Sequence, residues 1–439
     1  MKRGICCLLS LLLLSSISSY GQKYPKRKIL KDLKTLPGFE NAFIGFTLYD
    51  PSKEKTIAAH YADKYMTPAS TTKLFTYQAG VQNLPERLPA LEYYTSGDSL
   101  IFWSTGYPLT LHPDHPDSTV IDFLSQTKKK LYYWSRPIED DRFGPGWGWD
   151  DYNAYYGAEK SLFPIYGNSV QVIIDNAKKK FITSPTYDLL KFTENDSTDT
   201  RSRISRNEFL NEYEIKYKAL TASDTLTIDT LVRPFKYSDG LFIDLLSNAA
   251  GKEIKQIDKL TRPERFETLA GVRADSLYKW MLQPSDNLFA EQILLMISGA
   301  SSDTLSSKST LSRLKEPNII LREEQLQGSE LIWRDGSGLS RYNMFSPDEL
   351  IQLLSSSDEA SILPLLPQGG VSGSLEDWYG PYVYAKTGTL SNNHSLAGYI
   401  KTEKGKTLIF VIMANHYTAP TAVIRNSIGV ILEKIKQAY

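Results

Sequence analysis

The chain has 439 residues, more than one core usually needs, so two or more domains are expected. Lys and Arg number 50 against 50 Asp and Glu, so the bulk charge gives no ground for nucleic acid or another polyanion as partner. Apolar residues make up 41% of the chain, which supports a packed globule.

The first residues, MKRGICCLLSLLLLSSISSYGQ, have the anatomy of a secretory signal. Lys2 and Arg3 form its charged end, Ile5 to Leu14 its apolar run, and Ser19 and Gly21 the small residues before a cut ahead of Gln22. The run is short for a bilayer anchor. A lipoprotein signal needs a small residue before its cysteine, whereas Cys6 follows Ile5 and Cys7 follows Cys6. Removing residues 1–21 leaves 48 basic residues (50 − 2) against 50 acidic, a net −2, and takes away both cysteines. Thiol catalysis, disulfides and cysteine-ligated zinc then drop out. No later segment is long and apolar enough to cross a membrane. The expected location is outside the cytoplasm, in the periplasm, with no membrane span after cleavage.

NAFIGFTLY (41–49) and KTIAAH (55–60) read as a hairpin turned by Asp50-Pro51-Ser52. PASTTKLFT (68–76) follows, where an extended region gives way to a helix continuing through QAGVQNL. From about 93 to 233 the chain is rich in Tyr, Trp, Thr and Asp, with short alternating runs such as VQVII (170–174) and LTIDTLV (226–232). This reads as an inserted β-rich region. Helical periodicity returns at GLFIDLLSNAA and at SLYKWMLQPSDNLFAEQILLMIS. The chain closes with strands VYAKTGTL, SLAGYIKT and TLIFVIMAN and a final helix. Val423, Ile424, Ile428, Ile431, Leu432 and Ile435 line one face of that helix and are expected to pack on the preceding strands.

Three short stretches carry chemistry. Ser70-Thr-Thr-Lys73 puts a hydroxyl and an ammonium one helical turn apart. Ser285-Asp286-Asn287 interrupts a helical run, and Lys386-Thr387-Gly388-Thr389 sits late in a strand. Each alone reads better as a chance match, a helix cap or a polar strand end. Together and in this order they resemble the signature of penicillin-binding proteins and class A β-lactamases. In that reading Ser70 attacks a carbonyl carbon. Lys73, partly neutral through burial or a cationic neighbour, takes the hydroxyl proton. Ser285 relays that proton to the leaving amine, and Asn287 holds both Lys73 and the substrate backbone. Lys386, with Thr387 and Thr389, suits a terminal carboxylate. Gly388 leaves the strand edge uncovered for an extended substrate. The N–H groups of Ser70 and Thr389 form an oxyanion hole.

Further residues make the resemblance more specific. Arg334-Asp335-Gly336-Ser337-Gly338-Leu339-Ser340 and GWGWDDYNAYYGA (146–158) are similar to segments of the S13 peptidases. These are low-molecular-mass penicillin-binding proteins that act as D-alanyl-D-alanine carboxypeptidases and endopeptidases, and the resemblance covers nearly the whole mature chain. The interval from Lys73 to Ser285, 212 positions (285 − 73), leaves space for an additional domain. Two segments depart from the family: Gly106-Tyr107-Pro108-Leu109-Thr110 and Gly167-Asn168-Ser169, both within the insertion.

The resemblance implies an α/β (α+β) fold of the β-lactamase/transpeptidase type, a central antiparallel sheet flanked by helices. Residues 22–92 and 262–439 would form it, with 93–261 inserted. It implies cleavage of D-Ala-D-Ala in peptidoglycan stem peptides or cross-links through a Ser70 acyl-enzyme. β-Lactams are implied as inhibitors, and no cofactor or metal is implied. A β-lactamase is the sharpest alternative, and Glu323-Glu-Gln-Leu326-Gln327 comes near that enzyme's deacylating Glu-x-x-Leu-Asn stretch. A catalytically silent peptidoglycan-binding protein is the other. His112-Pro-Asp-His115 with Asp117 tempts a metal reading, but two prolines run through it and no helix can put both rings on one face. His394 and His416 are expected to be satisfied histidines at strand edges.

Overall fold

The computed structural model describes residues 23–321 and 330–439. The signal-like stretch and the Glu323–Gln327 stretch lie outside the described residues. Five antiparallel strands form the central sheet, in the order Val383–Leu390, Asn393–Lys401, Thr407–Asn415, Phe43–Asp50 and Lys55–His60. The first and last chain segments therefore meet in one sheet. The alternation of side chains explains why TLIFVIMAN is apolar almost throughout. Ile409, Val411 and Met413 point into one core, and Leu408, Phe410, Ile412 and Ala414 into another. Both faces of this strand are covered, so both of its side-chain sets must be apolar.

The second of these cores forms the back of the sheet. There the helix Lys26–Thr35 contributes Ile29 and Leu33, and the final helix Thr421–Ala438 contributes Ile424, Ile428, Ile431, Leu432 and Ile435. On the front lie the helices Lys73–Asn83, Asn287–Ser301 and Pro347–Ser356, with Leu74, Phe75, Phe289, Ile293 and Leu350 in the first core. The run at 276–298 divides into two helices, Ala274–Leu282 and Asn287–Ser301, because Asp286 caps the second by accepting from the N–H of Phe289 at 2.8 Å.

A second five-stranded sheet follows the Lys73 helix. Its order is Ile254–Ile257, Lys130–Trp134, Ser99–Trp103, Arg87–Ser96 and Glu267–Arg273. Its first two pairs in that order are parallel and its last two antiparallel, and two helices, Thr119–Gln126 and Asp239–Ala250, accompany it. Two three-stranded sheets complete the inserted part, so it is mixed α/β rather than simply β-rich. Arg87–Ser96 pairs directly with Glu267–Arg273, and this pairing extends beyond 93–261 on both sides. We place the limits of the insertion at 87 and 273 on that ground. No helix among the described residues is long and apolar enough to cross a membrane.

Candidate active site

Ser70 sits in a short 3-10 turn, Ala69–Thr72, that leads into the helix Lys73–Asn83. The hydroxyls of Thr71 and Thr72 donate to the carbonyls of Pro68 and Ala69, both at 2.8 Å, and fix the turn. Ala69 has a left-handed φ of 49°, a strained conformation for a residue with a Cβ. Gly338 accommodates it: a Cβ there would lie 1.9 Å from the Ala69 carbonyl oxygen. Ser70 is partly exposed, while Ala69, Thr71, Thr72 and Lys73 are buried.

Lys73 Nζ has three partners: Ser70 Oγ at 3.0 Å, Asn287 Oδ1 at 2.7 Å and the Ser337 carbonyl at 2.7 Å. Two of these oxygens can only accept, whereas the hydroxyl can also donate. A neutral amine there gives its two N–H bonds to Asn287 and Ser337 and turns its lone pair toward Ser70. Burial lowers the Lys73 pKa to about 8, against the opposing pull of Asp286, Asp335 and Glu291.

Lys386 Nζ donates to Ser285 Oγ and to the Thr387 carbonyl, both at 2.8 Å. Burial, then the nearby Lys73, hold its pKa well below the usual lysine value. Ser285 has a left-handed φ of 68°. Thr387 Oγ1 shares a 2.7 Å hydrogen bond with Ser374 Oγ, and Thr389 Oγ1 one of 2.8 Å with His394 Nδ1. His394 is fully buried rather than at a solvent edge. Burial and the nearby Arg425 lower its pKa to about 3, so the ring is neutral. Gly388 has a tighter reason than an open strand edge. A Cβ there would meet the Pro68 carbonyl oxygen at 2.3 Å and the Ser70 nitrogen at 2.9 Å. The strand and the Ser70 turn can close together only on a glycine, which brings the Ser70 N–H beside the strand at Gly388–Thr389.

Asn287 spans two parts of the chain, since its Nδ2 donates to the Tyr156 carbonyl of the insertion at 3.0 Å. The second N–H of that amide remains for another acceptor. Hydrogen bonds thus join Ser70 to Lys73 and Lys73 to Asn287, another joins Ser285 to Lys386, and Gly388 packs on the Ser70 turn.

Two participants carry no signal of their own in the three short stretches. The first is the Ser337 carbonyl, held by a loop built on buried Asp335. That carboxylate accepts from the N–H groups of Gly338 (2.8 Å) and Ser340 (2.6 Å), from Asn343 Nδ2 (2.7 Å) and from Trp147 Nε1 (2.9 Å). The second is Glu291, one helical turn after Asn287, whose Oε1 accepts from the Ser337 N–H at 2.8 Å. Burial, then Asp335, raise its pKa to about 7. Spacing on the Asn287 helix and the Asp335–Ser340 resemblance were the available clues to them.

A cavity of about 920 Å³ continues from Ser285 and Asn287 between the insertion and the front of the sheet. His115 stacks on Trp280 along its wall, with centroids 4.4 Å apart, and His112 Nδ1 accepts from the Asp114 N–H. Asp117 takes the Tyr107 hydroxyl at 2.6 Å. The tempting histidine cluster is thus occupied in ring packing and loop hydrogen bonds. His416 lies edge-on to Phe43, centroids 5.9 Å apart.

A model of the D-Ala-D-Ala carboxypeptidase 3 (S13) family matches residues 126–435, a span that begins after Ser70–Lys73 and includes the other two stretches. The D-alanyl-D-alanine carboxypeptidase DacB of Haemophilus influenzae is 27% identical over 161 residues, 32% of each chain. The carboxypeptidase DacB of Mycolicibacterium smegmatis is 28% identical over 171 residues, 34% of this chain and 36% of that one. These alignments thus span about a third of the curated relatives' length. The crystal structure of penicillin-binding protein 4 (DacB) from H. influenzae superposes with a TM-score of 0.71 at 20% identity, covering 93% of this chain and 99% of that one. It shares the fold.

Proposed function

Because the chain belongs to the D-Ala-D-Ala carboxypeptidase 3 (S13) family, we propose that it is a serine-type D-Ala-D-Ala carboxypeptidase and endopeptidase of peptidoglycan peptides. The three-way contact of Lys73 Nζ with Ser70 Oγ, Asn287 Oδ1 and the Ser337 carbonyl carries this reading.

Ser70 Oγ attacks the carbonyl carbon of the scissile D-Ala-D-Ala bond and passes its proton to neutral Lys73. The N–H groups of Ser70 and Thr389 hold the resulting oxyanion. Lys386 binds the substrate's terminal carboxylate, with the Thr387 and Thr389 hydroxyls beside it. Its depressed proton affinity is restored when that opposite charge arrives. Ser285, held on Lys386, relays that proton from Lys73 to the departing amine as the C–N bond breaks, which leaves Lys73 neutral again. Water then attacks the Ser70 ester and gives a proton to Lys73, which returns it to Ser70 Oγ as the acyl peptide leaves. The 920 Å³ cavity beyond Ser285 favours a leaving group larger than D-alanine alone, as in a cross-linked peptide.

Export through the N-terminal signal and residence in the periplasm belong to the same proposal. Penicillin treatment followed by peptide mass spectrometry tests the chemistry. The expected result is one acyl adduct on the peptide carrying Ser70, lost in Ser70→Ala. An adduct elsewhere, or none, would overturn the assignment. Rapid penicillin turnover instead of a lasting adduct would favour a β-lactamase.

A further inference from the structure

We propose that the exposed face of the helix Lys26–Thr35 is a docking surface for an anionic lipid bilayer. Every exposed position of this helix except Thr35 is basic: Lys26, Arg27, Lys28, Lys31 and Lys34, with exposed Lys23 just before it. At 100° per residue Arg27, Lys28, Lys31 and Lys34 occupy one side, opposite buried Ile29 and Leu33. The helix's one carboxylate is spent elsewhere. Asp32 Oδ2 accepts from Lys434 Nζ at 2.6 Å and from the Tyr24 hydroxyl at 2.8 Å. Among the described residues, none of the six basic side chains is in an ion pair, so their charge faces solvent.

In a chain with equal acidic and basic counts, this is a concentration of one sign that the average conceals. The field reaches beyond the helix: after burial, Lys34 is the second cause holding the His60 ring below its usual proton affinity. The shape of the patch narrows its partner. Lys23, Lys28 and Lys31 rim a hollow of about 270 Å³ with Asp32 and Lys434, but Lys26, Arg27 and Lys34 lie outside it, so the charges of the helix spread along roughly 12 Å. Such an array suits a plane of headgroups better than a single enclosed anion. No aromatic ring stands exposed among these charges, so the face lacks the stacking platforms that hold single-stranded nucleic acid. Ile29 and Leu33 are committed to the core, so the helix does not insert, and attachment is electrostatic and reversible. The helix lies behind the central sheet, across it from Ser70, so a docked molecule keeps Ser70 turned away from the lipid.

Co-sedimentation with vesicles tests this, using the chain from Gln22 onward. Vesicles of mixed phosphatidylglycerol and phosphatidylcholine should bind it at low salt, pure phosphatidylcholine should not, and added salt should release it. The variant Arg27→Gln/Lys28→Gln/Lys31→Gln/Lys34→Gln should bind on the order of a thousandfold more weakly. Its rate of acylation by penicillin should be unchanged, which reports an intact fold. No binding to the anionic vesicles at low salt would overturn the proposal, as would equal binding by the variant. Capture by soluble polyphosphate without vesicle binding would also overturn it, by assigning the patch to a soluble polymer.

Discussion

In the proposed mechanism Lys73 acts as the base only while it is neutral, and its pKa, lowered by burial to about 8, sets when that is. Below that pH the neutral fraction falls tenfold per unit, so penicillin acylation should rise with pH and level off above about 8. Stopped-flow acylation across pH 6–10 measures this, and a flat profile would exclude Lys73 as the base. Glu291 adjusts the same equilibrium, because its carboxylate helps keep the proton on Lys73. Glu291→Gln removes that charge, so the rise should begin at lower pH, with a gain at pH 7 of less than roughly tenfold. Stability should change too. The folded pKa of Glu291, about 7, exceeds the ordinary glutamate value of 4.5, so the folded state binds more protons between them. Its contribution is full below 4.5 and is lost as pH rises through 7, a slope that Glu291→Gln should flatten in denaturation curves. That Lys73 must be neutral through burial or a neighbour was legible in the sequence, but the means of its tuning were not. A main-chain carbonyl such as that of Ser337 has no residue type to reveal it, and the burial of Glu291 depends on what packs over the helix. Ser70, Lys73, Asn287 and Lys386 were legible because their side chains themselves resemble a known pattern.

Elements bring these residues together, and the joints between elements are the sensitive points. Gly388→Ala would place a methyl group against the Pro68 carbonyl and the Ser70 nitrogen. The turn must then move, costing about 1–3 kcal/mol of stability by overpacking. Because reacting groups tolerate little displacement, acylation should fall by on the order of a hundredfold, beyond what lost stability explains. Thermal melting together with acylation rates separates the two effects, and normal acylation would show that the contact yields. Strands such as Val383–Leu390 and Thr407–Asn415 match their sequence-based limits because continuous or alternating apolar runs mark them directly. The helix Asn287–Ser301 was legible through its cap. The pairing of Arg87–Ser96 with Glu267–Arg273 was not, because no local pattern announces a pairing across that interval. The helix Thr119–Gln126 was missed because eight residues give little periodicity to read.

At the scale of the molecule, the insertion is joined to the catalytic part rather than appended to it. One apolar cluster runs from Leu74 and Phe75 through Leu88 and Leu91 to Val172 and Phe242. Polar ties reinforce it where Tyr156 meets Asn287 and Trp147 meets Asp335. Calorimetry should therefore show one cooperative transition, with calorimetric and van't Hoff enthalpies in agreement. Two separated transitions would mean that the shared core contributes little coupling.

The edge strand Val383–Leu390 is closed along only half its length. Segment 367–369 pairs with its beginning, where the Ala385 N–H donates to the Pro367 carbonyl and the Gly369 N–H to the Val383 carbonyl. Among the described residues, the stretch from Lys386 onward has no strand paired on that side. A bare sheet margin is a template on which copies of a chain can add to one another and grow into fibres. Here the bare part is a few residues long and walled by the Ser70 turn, so a peptide tip can lie along it while another molecule's sheet cannot. The protein keeps a reactive margin without the self-assembly hazard that a full-length one would bring.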